Sequence, residues 1–390
     1  MNILLYDFIS YTQKDLAYFL KKAGHHCKNI LYKIKDDYKD DFFEYRLGQY
    51  LSDGNFDCVI SINFHPLVAK ICYQYQVKYL SWSYDSPISK MHMEYYQYPT
   101  NYIFLFDRME AQYFQSQGME HVFHMPLAVN LERLASASLS ISPLEKEAYS
   151  SDISFVGKFY DSSLKEILTL AQDYDRGFIQ AIVDAQLQVY GYNFVEDSIK
   201  PELPKRITDN FINAGIKIYC GGFEELSKGA LVHSINKEIT RRERIMLLNL
   251  LNRYYDVNYY SYECPQLLKD VIYCGTVNYL SDMPKVFRLS KINLNITLKS
   301  IQSGIPLRAL DIMGSGGFLL SNYQPELAEY FIPDRDIVLY ESIPDALSKA
   351  DFYLRHEDAR HSVINHAFDV LNTHFTYPMR IKEMFQTAGL

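Results

Sequence analysis

Two charged side chains one helical turn apart, Arg308 and Asp311, are the strongest candidates for chemistry in the sequence. Pro306 lies near the start of their segment and Gly314 just past its end, an asymmetry that predicts a short helix. Arg308 falls in the first turn, where the helix dipole favours an acid, so its position suggests a bound anion. A guanidinium and a carboxylate at this spacing suit a nucleotide diphosphate, with Arg308 on the phosphates and Asp311 on the ribose hydroxyls. The alternative is an ion pair between the two on a solvated surface.

The flanking segments predict that this helix belongs to a βαβ unit. Residues 292–296 alternate between apolar and polar types as a strand does, and residues 318–320 form an apolar run typical of a buried parallel strand. The loop that joins the first strand to the helix ends in Ser303 and Gly304. Ligands of α/β sheets bind at the carboxyl ends of strands, and helix N-termini attract anions. We therefore expect Ser303 and Gly304 to face the same diphosphate.

Three predicted strands in the first 90 residues are each followed by a polar side chain, namely Asp7, His65 and Asp85. The carboxyl ends of parallel strands meet at one edge of a sheet, so these side chains are expected to converge there. Each could contribute to a substrate site. The alternative for each is a helix cap or a turn former, and Asp85 before Ser-Pro also fits an Asx turn.

A change in composition marks a boundary between two domains. Residues 135–151 are small, polar and poorly periodic, which predicts a linker, and the strand pattern restarts at 152–156. Residues 238–254 predict a strongly periodic helix, and its basic start at 241–244 is interpreted as a solvated or interdomain face. Asp334-Arg335-Asp336 precedes an apolar run rather than following one, so it predicts a loop turn and no metal site.

The stretches SKINLN and SGIPLRALDIMGSGGFLLSNYQPEL resemble the nucleotide-binding half of the group 1 GT-B glycosyltransferases, in the spore-maturation (CgeB-like) branch. The resemblance covers residues 152 to about 377 and is weaker before them. It implies an α/β, GT-B fold of two Rossmann-like, doubly wound parallel-sheet domains that face a cleft. The implied domains are 1–150 on the acceptor side, 151–376 for the nucleotide sugar, and a helix in 377–390 that returns to the first domain. The family's E-x7-E pair is incomplete here, because Asp311 matches the second acid while the first falls on Ser303.

The resemblance also implies an activity and further site residues. Lys158, at the tip of the first strand of the donor domain, is expected to face the phosphates, with Lys165 in reserve, and Tyr279 to meet the base. The expected reaction moves a sugar from a nucleotide-diphosphate sugar, taken as a UDP-sugar, to a hydroxyl of a glycan or protein acceptor, with no metal and no other cofactor. Asp85 is the first candidate for a base if the reaction inverts; a retaining reaction strictly needs none. The alternatives are a nucleotide-sugar epimerase of the same architecture and a non-catalytic binding subunit.

Composition is that of a globular enzyme of two ordinary domains: 390 residues, 48% hydrophobic and 22% charged. The net charge of -8 argues against a nucleic-acid groove. The start of the chain does not resemble a signal peptide, and no apolar run is long enough to span a membrane, so a cytoplasmic protein is expected, with peripheral membrane contact left open. The six cysteines have no zinc spacing. The 34 tyrosines suit sugar stacking, with compositional bias as the alternative.

Overall fold

The computed structural model describes residues 1–8, 10–139, 141–169, 171–214, 226–264 and 266–390. These residues form two parallel sheets of six strands each, one in each half of the chain. Helices cover both sheets, and the predicted arrangement of two doubly wound α/β domains is confirmed. No helix of the described residues combines the length and the apolar character that a bilayer span requires.

The first sheet has the strand order β2-β1-β3-β4-β5-β6, and every pairing is parallel. The strands are β1 Asn2–Asp7, β2 His26–Leu31, β3 Cys58–Ile62, β4 Lys78–Ser83, β5 Asn101–Leu105 and β6 Val122–His124. The helices of this half are α1 Tyr11–Lys22, α2 Asp41–Asp53, α3 Pro66–Gln74, α4 Met93–Tyr96, α5 Arg108–Ser116, α6 Leu131–Leu139 and α7 Pro143–Tyr149. A 3₁₀ turn, Lys90–His92, precedes α4. The strand order reverses at β1 and β3, so their carboxyl ends form a switch point where α/β proteins bind ligands.

The second sheet has the order β12-β11-β10-β7-β8-β9, again with parallel pairings. Its strands are β7 Ser151–Val156, β8 Val257–Tyr260, β9 Ile272–Tyr273, β10 Ser290–Asn295, β11 Leu319–Asn322 and β12 Val338–Tyr340. Between β7 and β8 lie α8 Leu164–Thr169, α9 Asp173–Gln186, α10 Val195–Ser198, α11 Glu202–Asn213 and α12 Lys228–Leu251. The later helices are α13 Met283–Leu289, α14 Leu307–Gly314, α15 Pro325–Tyr330, α16 Ile343–Arg355, α17 Glu357–His374 and α18 Tyr377–Ala388. Here the switch point lies between β7 and β10.

One apolar core joins the two halves of the molecule. It contains Leu16 of α1 and Trp82 of β4 together with Val286 of α13 and Leu310 of α14, each of them at most 1% exposed. The last helix, α18, packs in this core against β4 and β5 of the first sheet. The ring of its Tyr377 stacks on the ring of Phe19 of α1. The two domains are therefore held together by hydrophobic burial and not only by polar contacts at the cleft.

Two local predictions are corrected by the structure. The segment predicted as a linker, 135–151, instead contains the end of α6 and all of α7 among its described residues. Ser142 and Glu145 form a capping box at the start of α7, so the polar residues that suggested a linker stabilise a helix terminus. The helix predicted over 238–254 begins ten residues earlier, at Lys228, where the Ser227 hydroxyl accepts the backbone N–H of Ala230.

Candidate functional site

The loop after β10 lies against the carboxyl end of β5 in the first sheet, where the two domains meet. The carboxylate of Asp107, two residues after the end of β5, accepts the backbone N–H groups of Gln302 (2.5 Å) and Ser303 (3.2 Å). The Ser303 hydroxyl lies 2.7 Å from Oδ1 of Asp107 and 2.8 Å from Oε1 of Glu326. A Cβ added to Gly304 would lie 2.9 Å from Cα of Asp107, so this glycine permits close approach of the two domains.

This arrangement differs from the predicted phosphate loop. The backbone donors that the sequence assigns to a diphosphate are bound to a carboxylate of the protein itself, and Ser303 is only 4% exposed. The anion at this loop is therefore Asp107, which also caps α5 by accepting the N–H of Met109 at 3.1 Å. The structure places Ser303 and Gly304 in the domain junction rather than at an open cleft.

Asp311 of α14 lies buried between charged and aromatic side chains. Its carboxyl group is 3% exposed and accepts the hydroxyl of Tyr279 at 3.3 Å. Burial raises the pKa of Asp311 to about 6, although the positive charges of Arg308 and Arg133 act in the opposite direction. Burial, followed by the charge of Asp311, also raises the pKa of the Tyr279 hydroxyl well above its usual range.

Arg308 lies in the first turn of α14, as the sequence predicts, and is half-buried. Its Nη1 contacts the sulfur of Met283, and its guanidinium carbon lies 5.6 Å from the ring centroid of Phe287. Sulfur and an aromatic face are weak partners for a guanidinium, so strong acceptors in the described parts of the chain leave most of the hydrogen-bonding capacity of Arg308 unused.

The first domain contributes a second arginine that the sequence analysis missed. Arg133 of α6 donates from Nε (3.1 Å) and Nη2 (2.9 Å) to the Asp15 carboxylate of α1, which also accepts the side-chain amide of Asn130 at 2.7 Å. Its guanidinium carbon lies 5.1 Å from the ring centroid of Tyr279. Its Nη1 is buried without a hydrogen-bond partner among the described residues. A buried, unpaired guanidinium N–H is costly in a native structure and indicates a place where an acceptor can bind.

These five residues, Asp15, Arg133, Tyr279, Arg308 and Asp311, are called the Asp311 cluster below. They combine two guanidinium groups from different domains, an acid whose pKa lies near neutrality and a phenol. Such a set can bind phosphate oxygens and hydroxyl groups at one place.

The switch point of the second sheet is held by Arg244 of α12. Its two terminal nitrogens donate to the carbonyl oxygens of Lys158, after β7, and of Ile296, after β10. The guanidinium carbon also lies 4.6 Å from the ring centroid of Tyr160, and the residue is 6% exposed. The interpretation of 241–244 as a solvated or interdomain face is therefore wrong for Arg244, because strand-end carbonyls solvate its charge inside the domain.

Lys158, predicted to face the phosphates, has an exposed side chain at this switch point. Its ammonium lies 5.8 Å from the ring centroid of Tyr262. The reserve candidate, Lys165, is exposed on α8. The structure places Lys158 at the edge where a ligand of the second sheet would bind, so its role in phosphate binding stays a prediction.

The three acceptor-side candidates share one edge of the first sheet but have different surroundings. Asp85, after β4, is exposed and accepts the Nδ2 of Asn63 at 2.6 Å. His65 caps α3, its Nε2 lies 3.3 Å from the carbonyl oxygen of Ile62, and burial lowers its pKa to about 4. Asp7 accepts the backbone N–H of Ser10 at 3.3 Å, just before α1. Among the three, the exposed carboxylate of Asp85 is the most accessible to a substrate.

The whole chain shares its fold with solved GT-B structures, so the predicted GT-B fold is confirmed. A glycosyltransferase from Rickettsia africae superposes with a TM-score of 0.56 over 99% of this chain and 97% of its own, at 11% identity. Sucrose-phosphate synthase from Thermosynechococcus elongatus gives 0.56 over 99% and 98%, at 10% identity. HepE from Anabaena, in complex with UDP and glucose, gives 0.51 over 100% and 99%, at 8% identity. At these identities the likeness concerns the fold.

A sequence match adds the enzyme class. Residues 241–386, which include α14 and its flanking strands, match the family model described as glycosyl transferase-like. No curated protein matches the chain significantly in sequence. The GT-B fold of the whole chain and the family match in its second half support a glycosyltransferase, so the predicted enzyme class is confirmed. The spore-maturation branch stays a prediction.

Proposed function

We propose that this protein transfers a sugar from a nucleotide-diphosphate sugar, a UDP-sugar, to a hydroxyl group of a glycan or protein acceptor without using a metal ion. The observation that carries the proposal is the Asp311 cluster, in which both domains bring a guanidinium to one buried carboxyl and one phenol. The choice of UDP is supported by the neighbour HepE, whose structure contains UDP and glucose.

Departure of the leaving group places negative charge on the diphosphate, and this charge must be stabilised in the transition state. Among the described residues, Arg308 contacts only the weak acceptor sulfur of Met283 and Nη1 of Arg133 has no partner, so both can donate to phosphate oxygens. Lys158 at the switch point is the third cation in the proposal. The proposed phosphate contacts are therefore side chains and not the N-terminus of α14, because the backbone N–H groups of Gln302 and Ser303 already donate to Asp107.

Asp311 and Tyr279 are proposed to bind the nucleoside part of the donor. As a carboxylate, Asp311 accepts hydrogen bonds from vicinal ribose hydroxyls, and the ring of Tyr279 offers a face for the base. Because Asp311 is 3% exposed, a nucleotide reaches it only after the neighbouring parts of α6 or the loop before α13 move. We propose Asp85 as the group that deprotonates the acceptor in an inverting reaction, since its carboxylate is exposed at the edge of the first sheet.

The proposal is tested by calorimetric titration of the protein with UDP, followed by turnover of UDP-sugars. Expected results are binding of UDP by the wild-type protein, weaker binding by Arg308→Ala and Arg133→Ala, and unchanged binding by Arg355→Ala. Arg355 is a suitable control because its side chain is 72% exposed on α16. Release of UDP that requires an added acceptor supports transfer, whereas an epimerised nucleotide sugar formed without acceptor contradicts it. Absence of UDP binding by the wild-type protein would contradict the assigned site.

A further inference from the structure

A row of aromatic side chains crosses the surface of the first domain and has no role in the proposed donor site. It consists of His92, Tyr38, Tyr95, Tyr98 and Tyr73, here called the tyrosine track. Successive ring centroids are 5.6, 5.7, 5.9 and 4.6 Å apart. Tyr38 is 36% exposed and Tyr73 is 40% exposed. Tyr95 and Tyr98 are half-buried and pack against the core of the first domain, so the track is a partly exposed row at the edge of that core.

The path of the track follows from the elements that carry it. Its first end lies at the carboxyl edge of the first sheet, because Tyr38 is in the loop after β2 and His92 closes the 3₁₀ turn after β4. The hydroxyl of Tyr38 and Nδ1 of His92 are 3.0 Å apart and fix this end. Lys90, in the same turn, forms a 2.7 Å ion pair with Glu196 of the second domain. The track thus starts beside a contact between the domains.

The other end lies at the opposite edge of the sheet. Tyr73 is near the end of α3, which runs from the carboxyl edge to the turn before β4, and Tyr98 precedes β5. Their rings stack at an interplanar angle of 8°. The track therefore leads away from the proposed catalytic cleft along the outside of the first domain.

The charges beside the track restrict what can bind there. Burial, and then the charges of Asp37, Glu94 and Asp36, raise the pKa of Tyr38, and Glu94 acts in the same direction on Tyr95 and Tyr98. Lys70, which is paired with Glu44, acts in the opposite direction on the pKa of Tyr98. Carboxylates next to aromatic rings repel phosphate-bearing and uronic-acid polymers but accept hydrogen bonds from neutral hydroxyl groups. Tyrosine adds a ring face for apolar C–H surfaces and a hydroxyl tip for polar groups.

We propose that the tyrosine track binds an extended, uncharged oligosaccharide, the acceptor chain whose growing end reaches the cleft. The rings of the track meet edge-on, tilted or stacked, so such a chain would contact the exposed ring edges and hydroxyl groups along the row. This inference rests on the proposed glycosyltransferase function for the identity of the bound chain as acceptor. The binding itself requires no donor.

The experiment uses the full-length protein on an array of neutral and uronic-acid-containing oligosaccharides, from disaccharides to hexasaccharides, without nucleotide. The expected result is retention of neutral chains that strengthens with length, and about tenfold weaker retention by Tyr73→Ala. Tyr73→Phe keeps the ring and should retain the chains. Tyr45→Ala, on α2 and 65% exposed outside the track, is the matched control and should behave as the wild type.

Four outcomes would overturn the inference: no retention of neutral chains, preferential retention of the acidic ones, unchanged retention by Tyr73→Ala, or equal loss by Tyr45→Ala. Titration of each variant with UDP reports separately on the donor site and on folding. If the wild-type protein retains glycans but does not bind UDP, the proposed function is contradicted and glycan binding by the tyrosine track is not. Intact UDP binding without glycan retention would contradict the track alone.

Discussion

Replacing Asp311 with asparagine should stabilise the protein at neutral pH while it weakens nucleotide binding. Burial raises the pKa of this carboxyl from its ordinary 3.8 to about 6, even though two arginines and a tyrosine favour the charged form. Between these two pH values the folded protein holds a proton that the unfolded chain has released. The contribution of this carboxyl group to the free energy of unfolding is therefore fully present below about pH 4 and is lost as the pH rises through 6. At about 1.36 kcal/mol per pH unit, the ionised carboxylate costs the folded state about 3 kcal/mol.

Asparagine has the shape of the protonated acid and never ionises, so the variant avoids this cost. Thermal melts of the wild type and Asp311→Asn from about pH 4 to pH 8 should converge at the acid end and separate by several degrees above pH 6. Burial also raises the pKa of Glu110, to about 7, but the effect of this group cancels in the difference between the two proteins. Stabilisation by UDP should be smaller in the variant, because ligand binding to the native state raises the melting temperature.

The matched control is Asp369→Asn on α17, where the side chain is exposed and the substitution should leave the melting temperature of the protein unchanged. A variant Asp311→Asn that melts lower than the wild type at pH 7 and binds UDP equally well would refute the reasoning. Asp311 would then be an ordinary structural partner of the two arginines, and the cluster would not be a ligand site.

Three further substitutions test the donor site, the switch point and the domain junction. Arg308→Ala should weaken UDP binding by about 2–4 kcal/mol, the scale of a lost charge-assisted contact, as measured by calorimetry; equal affinity would remove Arg308 from the site. Arg244→Met should destabilise the protein by at least about 2 kcal/mol in urea unfolding, because two strand-end carbonyls lose their donor; a neutral effect would show that water replaces the guanidinium. Gly304→Ala should cost about 1–3 kcal/mol in the same assay, since its Cβ would lie 2.8 Å from a ring carbon of Phe106 and the domains must separate slightly; wild-type stability would show that the junction is loosely packed.

The sequence was sufficient for those parts of the site that depend on neighbours along the chain. The helix that carries Arg308 and Asp311 and its two flanking strands follow from periodicity, a proline and a glycine. The partners of these residues could not be predicted in the same way. Asp15 and Arg133 are 118 positions apart, and Asp107 and Ser303 are 196 apart, so only tertiary packing brings them together.

For Arg244, helical periodicity indicated a buried position, but the residue type favoured an exposed one. It precedes Leu247, Leu248 and Leu251 by three, four and seven positions, so helical periodicity places it on the buried face of α12. Arginine is rarely buried without partners, and this general expectation favoured a solvated position. The carbonyl ends of β7 and β10 supply those partners, and nothing in the local sequence of α12 indicates them.

The domain junction explains why the proposed site depends on side chains rather than on a helix terminus. Backbone N–H groups bind any anion of suitable size, and here the carboxylate of Asp107 reaches them from the first domain before a substrate can. A phosphate at the same loop would have to displace a buried carboxylate and break the contact between the sheets. No carboxylate occupies the free donors of the two arginines in the described parts of the chain. Nη1 of Arg308 contacts the sulfur of Met283, and Nη1 of Arg133 has no hydrogen-bond partner. In the proposed site one guanidinium belongs to each domain, so we expect tight binding of a diphosphate to require both domains in place. Lysine at either position would lose the paired donor geometry.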